Sequence, residues 1–131
     1  MKRVSKEWIK IAMEDLRSAE CLFTFSLYRM VCYHAQQAVE KILKATLTEH
    51  EAEFSRTHNI LDLCNAVEKA GHKAPLIAED AIFLNSIYRA RYPSDLGLLP
   101  SGEPTKEDAD KALAIAKNVK NWLKDIEREH R

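Results

Sequence analysis

Apolar residues recur every three or four positions along almost the whole chain, the pattern of amphipathic helices. The segment Tyr33 to Leu47, YHAQQAVEKILKATL, carries it twice over. Val31, Ala35, Ala38, Ile42 and Ala45 form an apolar stripe that needs a core. His34, Gln37, Lys41 and Lys44 form a second, polar stripe at steps of three, four and three. A solvated helix face more often mixes Glu with Lys. This helix is predicted from Leu27 or Tyr28 to Glu49.

Four further helices follow from the same periodicity. The first is predicted from Ser5 to Ser26, with Ser5 as N-cap, Glu7 in the first turn, and Trp8, Ile11, Ala12, Ala19, Leu22 and Phe23 inward. A third begins at Thr57 as its cap, buries Ile60, Leu63, Cys64 and Val67, and stops at Gly71. Pro75 opens a fourth, which carries Leu76, Ile77, Leu84, Ile87 and Tyr88 and ends before Pro93. Thr105, followed by Glu107 and Asp108, starts the last, whose stripe runs from Ala109 to Ile126. The stretch from Arg91 to Pro104 is predicted as the one long irregular connection. No segment reads as a strand. The expected fold is all-α: an antiparallel up-and-down bundle of four long helices plus one short one, forming a single domain over residues 1–131.

Composition narrows the function classes. Apolar residues make up 46% and charged residues 31%, which suits a globular chain. The formal net charge is zero, so any nucleic-acid contact must rest on a local patch. Cys21, Cys32 and Cys64 lie in apolar helical patterns without Cys-x-x-Cys spacing and read as buried thiols. No apolar run is long enough for a bilayer, and the start MKRVSKEW has no leader-like core. The expectation is a cytoplasmic protein with no membrane association.

The histidines show no metal-ligand pairing on one helix face, and no Gly-rich phosphate loop is present, so neither metal nor cofactor is expected. Three constellations carry candidate chemistry. His34, Gln37, Lys41 and Lys44 could line a groove for a phosphate or a base, or form a partner interface. Tyr88, Arg91 and Tyr92 sit at a helix end, where arginine can bind phosphate and tyrosine can stack on a base. Arg29 and His34 have the form Arg-x4-His, a possible catalytic pair for RNA cleavage. On one continuous helix, however, five positions separate two side chains by about 140°.

Taken together, these landmarks resemble the HEPN family (higher eukaryotes and prokaryotes nucleotide-binding domain). The resemblance rests on Trp8, Ala12 and Asp15-Leu16, then on Tyr33-His34-Ala35-Gln36-Gln37-Ala38-Val39-Glu40-Lys41 with Leu43-Lys44-Ala45. It continues through Thr57-His58 and Leu63 to Tyr88, Arg91-Tyr92-Pro93 and an Ala-rich last helix. It implies a helical bundle, usually a homodimer. It also implies a nucleotide- or RNA-binding chain that partners a minimal nucleotidyltransferase, or an RNA-cleaving toxin of a toxin–antitoxin pair. Active HEPN ribonucleases carry their Arg-x4–6-His late in the chain. Here no histidine follows Arg89 or Arg91 within six residues, and Gln36, not tyrosine, stands two residues after His34. The leading expectation is therefore a nucleotide- or nucleic-acid-binding module. The alternatives are an endoribonuclease using Arg29 and His34, and a purely structural dimerisation domain.

Overall fold

One helix, from Tyr28 to Glu49 (α2), contacts all four of the others. The structure, a computed structural model, describes residues 1–54, 56–90 (the side chains of 88–90 excepted) and 103–129. Around α2 lie α1 (Arg3–Phe23), α3 (Ile60–Lys69), α4 (Ala78–Ala90) and α5 (Lys106–Glu129). No strand occurs among the described residues. The fold is the expected all-α bundle, although α4, at 13 residues, is nearer in length to α3 than to the three long helices.

The most extensive contact is between α1 and α2, followed by α2 with α5. Small residues line these seams: Ala12 and Ala19 on α1, Ala35, Ala38 and Ala45 on α2, and Ala109, Ala112 and Ala116 on α5 are all fully buried. Side chains this small let helix axes approach closely. Ile42, Leu43, Leu47, Ile60, Leu63 and Leu84 fill the remaining volume. The Lys2 N–H donates to Glu49 Oε1 at 2.8 Å, so the start of α1 meets the end of α2 and the two run antiparallel. That hydrogen bond is the main reason the Glu49 carboxyl is held below its usual range.

Three helices end in the same way. Ser26, Glu51 and Gly71 each have positive φ, at 59°, 53° and 100°. Each donates its N–H three residues back, and the next residue donates five residues back: Leu27 to Leu22, Ala52 to Leu47, His72 to Val67. This is the Schellman closure, which favours glycine at the left-handed position. Only Gly71 supplies it. The turn after α1 therefore comes without a glycine, and α1 ends at Phe23 rather than at the expected Ser26.

Two predicted caps are displaced. Ser5 is not an N-cap but a fully buried residue inside α1. Asn59, not Thr57, caps α3, its Oδ1 accepting from the N–H groups of Leu61 and Asp62 at 3.0 and 3.3 Å. Thr57 Oγ1 instead accepts from the Asn59 N–H at 3.0 Å. Asn85 on α4 completes the corner, donating to Asn59 Oδ1 at 2.9 Å and accepting from the Ile60 N–H at 2.8 Å. Pro75 precedes α4 without entering it, as that helix starts at Ala78. The start of α5 is as expected: Thr105 and Asp108 cap each other reciprocally, at 3.2 Å (Asp108 N–H to Thr105 Oγ1) and 3.0 Å (Thr105 N–H to Asp108 Oδ2).

Two cysteines are buried as expected, and Cys21 is exposed. Burial, reinforced by the charge of Asp108, pushes the Cys32 thiol up to about 12. Burial, with Glu68 nearby, pushes Cys64 up to about 11.

Thiolates are the reactive form, so a thiol reagent at neutral pH should label Cys21 alone in the folded protein and all three cysteines after denaturation. Labelling of Cys32 at the rate of Cys21, read by mass spectrometry, would contradict this packing. Ser26→Gly should raise stability by about 0.5–1 kcal/mol in urea unfolding, because relief of left-handed strain exceeds the added entropy of the unfolded chain. Leu43→Ala should cost about 3 kcal/mol in the same measurement.

Candidate functional site

The polar stripe of α2 does not face open water. Gln36, Gln37, Glu40, Lys44 and Thr46 are buried along with the apolar face. A helix enclosed this fully must have its charges neutralised from within the chain. Two carboxylates do this.

Asp15, on α1, takes the upper half of the stripe. Its Oδ1 lies 2.8 Å from His34 Nδ1, and its Oδ2 accepts from Lys41 Nζ. All three side chains are largely shielded from solvent, at 12% exposed for Asp15, 17% for Lys41 and 23% for His34. Tyr33 meets the His34 ring edge-on, with centroids 5.1 Å apart. Gln37 Nε2 donates to the neighbouring Gln36 Oε1 at 2.8 Å. The first three members of the stripe are thus engaged inside the chain.

Glu40 takes the lower half. Lys44 Nζ donates to its Oε2 at 3.2 Å, and His58 Nδ1 lies 2.9 Å from its Oε1. Glu40 is almost wholly buried, whereas the His58 side chain is 53% exposed. Lys44 also sits over the Trp8 ring, 5.6 Å from its centroid, a favourable placement of a cation on a π face. Beyond these groups opens a cleft of about 610 Å³ lined by Trp8, Lys44, Phe54, Arg56, Thr57 and His58. α1 contributes Trp8, α2 contributes Lys44, and the connection to α3 contributes the rest. The Asn59 cap and its tie to Asn85 hold the connection in place at its far end.

Of the predicted site residues that are described, the cleft gathers Lys44 alone. His34 and Lys41 meet each other on Asp15, one helical level away. Arg29 and His34 have different partners: Arg29 pairs with Glu103 at 3.4 Å, beside the α1–α2 turn, and His34 meets Asp15. Arg91, Tyr92 and the Tyr88 side chain lie outside the described residues. Sequence reasoning misses Trp8 and Phe54 as cleft walls, and Arg56 as a base. Trp8 looks like part of an ordinary apolar stripe, and Phe54 and Arg56 lie in a connection without periodicity. His58, between Thr57 and Asn59, reads in one dimension as packing and capping for α3. Among the described residues, no three His, Cys, Asp or Glu side chains are placed to hold a metal, and no helix is long and apolar enough to cross a membrane.

A bundle of this shape, with these landmarks, has known relatives. A Methanocaldococcus jannaschii protein named "Putative toxin MJ1304" is 33% identical over 97% of this chain and 90% of its own length. The crystal structure of ST0689, an archaeal HEPN homologue, superposes with a TM-score of 0.65 at 25% identity, covering 95% of this chain and 97% of that one. TT1696 from Thermus thermophilus shares the fold, with a TM-score of 0.67 at 22% identity over 95% and 98% of the two chains. The model of the HEPN domain family matches residues 5–126, and the chain belongs to that family.

Proposed function

We propose that this chain is a nucleotide- or nucleic-acid-binding HEPN module. In this reading it acts as a cytoplasmic homodimer and as the partner subunit of a minimal nucleotidyltransferase in a toxin-like system. The observation that carries the binding reading is the cleft where Lys44, Arg56 and His58 meet Trp8 and Phe54. Basic groups attract phosphate, and aromatic rings offer an apolar face to a base. The toxin name of the Methanocaldococcus jannaschii relative supports the toxin-like setting. Lys44 is the member of the α2 stripe that borders the cleft. Arg91 and Tyr92 stay in the proposal as further phosphate and base contacts.

A second reading has one observation of its own. Asp15 Oδ1 beside His34 Nδ1, at 2.8 Å, is the arrangement that orients an imidazole for proton transfer through Nε2. On this reading the chain cleaves RNA, with His34 moving the 2′-hydroxyl proton and Arg29 contributed by a second copy.

Calorimetric titration at low ionic strength should show binding of nucleotides or RNA, and added salt should weaken it by counterion release. The absence of heat with every nucleotide and RNA would sink the binding reading. For the enzyme, a purified preparation should degrade RNA and lose that activity in His34→Ala. Equal activity in the variant would point to a contaminant and end the second reading. Asp15→Ala leaves Lys41 and His34 without their shared carboxylate in a partly shielded site. It should cost about 2 kcal/mol in urea unfolding whichever reading holds.

A further inference from the structure

Two histidines meet where α2 and α3 end. His50 is the residue that closes α2, and His72 follows Gly71 just past the end of α3. Both backbones are pinned by the helix closures: the His50 N–H donates to the Thr46 carbonyl and the His72 N–H to the Val67 carbonyl, each at 3.2 Å. Their Nε2 atoms lie 2.6 Å apart. The ring centroids are 4.5 Å apart and the ring planes are tilted by 50°, so the rings meet at their nitrogens and not face to face. Both residues are half-buried. His50 also lines a cleft of about 630 Å³, together with Lys6, Glu49 and Glu127, which leaves it within reach of solvent. Trp122 on α5 stands edge-on to His72, with centroids 6.4 Å apart, and its Nε1 donates to the Lys73 carbonyl at 3.0 Å.

We propose that this pair binds a divalent transition-metal ion of the zinc or nickel type, held by Nε2 of both histidines and completed by water. The site shares no residue with the Lys44 cleft and does not rest on the nucleotide reading. Imidazole nitrogen suits such ions, at about 2.0–2.1 Å, whereas magnesium and calcium prefer oxygen. Two nitrogens on one ion at that length stand about 2.9–3.4 Å apart. The rings therefore need to part by roughly 0.3–0.8 Å, which side-chain rotation supplies. Between two neutral imidazoles without metal, one Nε2 carries the hydrogen and the other accepts it. Both must be unprotonated to ligate, so that hydrogen passes through water to Nδ1 of its own ring, with no change in charge. The negative ends of two helix dipoles converge on the histidines and favour a cation there. The bound ion joins the end of α2 to the end of α3, across the connection that carries Phe54, Arg56 and His58.

The test uses the full chain carrying Trp8→Phe, which leaves Trp122 as the one indole that emits. Ni²⁺ is followed by Trp122 emission, and Zn²⁺ by calorimetry and the thermal midpoint of the unaltered chain. Mg²⁺ is the comparison ion, and a chelator reverses each titration. Ni²⁺ should quench Trp122 saturably. Zn²⁺ should raise the thermal midpoint, because the pair exists only in the folded chain. His50→Gln and His72→Gln, each checked for fold by circular dichroism in chelator, should weaken both ions at least about tenfold, since even outer-shell partners of a metal are worth that much. In the unaltered chain, Zn²⁺ should protect His50 and His72, but not His34 or His58, from diethyl pyrocarbonate, read by mass spectrometry. That measurement decides the matter even where a variant fails to fold. Full affinity in both variants, no protection of the pair, or an equal response to Mg²⁺ would overturn the site. Silence toward both Ni²⁺ and Zn²⁺ would overturn it as well.

Discussion

The enclosure of α2 is the constraint on which the rest of this structure depends. A helix touched on all sides by four others cannot send its charged side chains to water. His34, Glu40, Lys41 and Lys44 are therefore tolerable only because partners reach them inside the chain. Asp15 from α1 answers two of these side chains, and Glu40 from α2 itself answers Lys44 and His58. Alanines along α1, α2 and α5 bring the axes near enough for short carboxylates to span the gaps. Small residues and buried ion pairs are two parts of one arrangement.

The same enclosure determines where a ligand can be met. Over the upper half of the polar stripe α1 lies on top, and the side chains there are occupied with Asp15. Beside Trp8, the connection between α2 and α3 brings Phe54, Arg56 and His58 to the cleft. Glu40 joins the two regimes, since it is nearly inaccessible yet holds a lysine and a histidine that border the cleft. The Asn59–Asn85 corner ties the end of that connection to α4. The site is thus set by where the connection after α2 packs beside Trp8.

Much of the fold was legible because helix periodicity and capping are local. Thr105 with Asp108 marks the start of α5 through neighbouring residues, and Gly71 marks the end of α3 because it accepts a φ of 100° without strain. Where the chain departs from local preference, the boundary moved. Ser26 and Glu51 occupy left-handed positions without being glycine, so nothing in the residue type announces those turns. Ser5 looks like a cap and is a core residue, because the helix starts two residues earlier. Thr57 and Asn59 are both competent caps, and Asn85, 26 residues away, joins the one that prevails.

The sequence by itself determined the five helices, their apolar faces apart from the exposed Ile11 and Ile77, the all-α class and the family, since each depends on spacing along the chain and on near-continuous motifs. It also marked the polar stripe of α2 as unusual. Only the tertiary structure decided what that stripe faces. Periodicity reports which residues share a side of a helix but not what lies opposite, and a buried lysine and a solvated one look alike in one dimension. Asp15 against His34 and Lys41, and Trp8 against Lys44, are pairings between residues far apart in sequence, set by how α1 docks on α2. For the same reason the cleft walls were hidden: Trp8, Phe54 and Arg56 come together only when a helix and an aperiodic connection fold to the same end of α2.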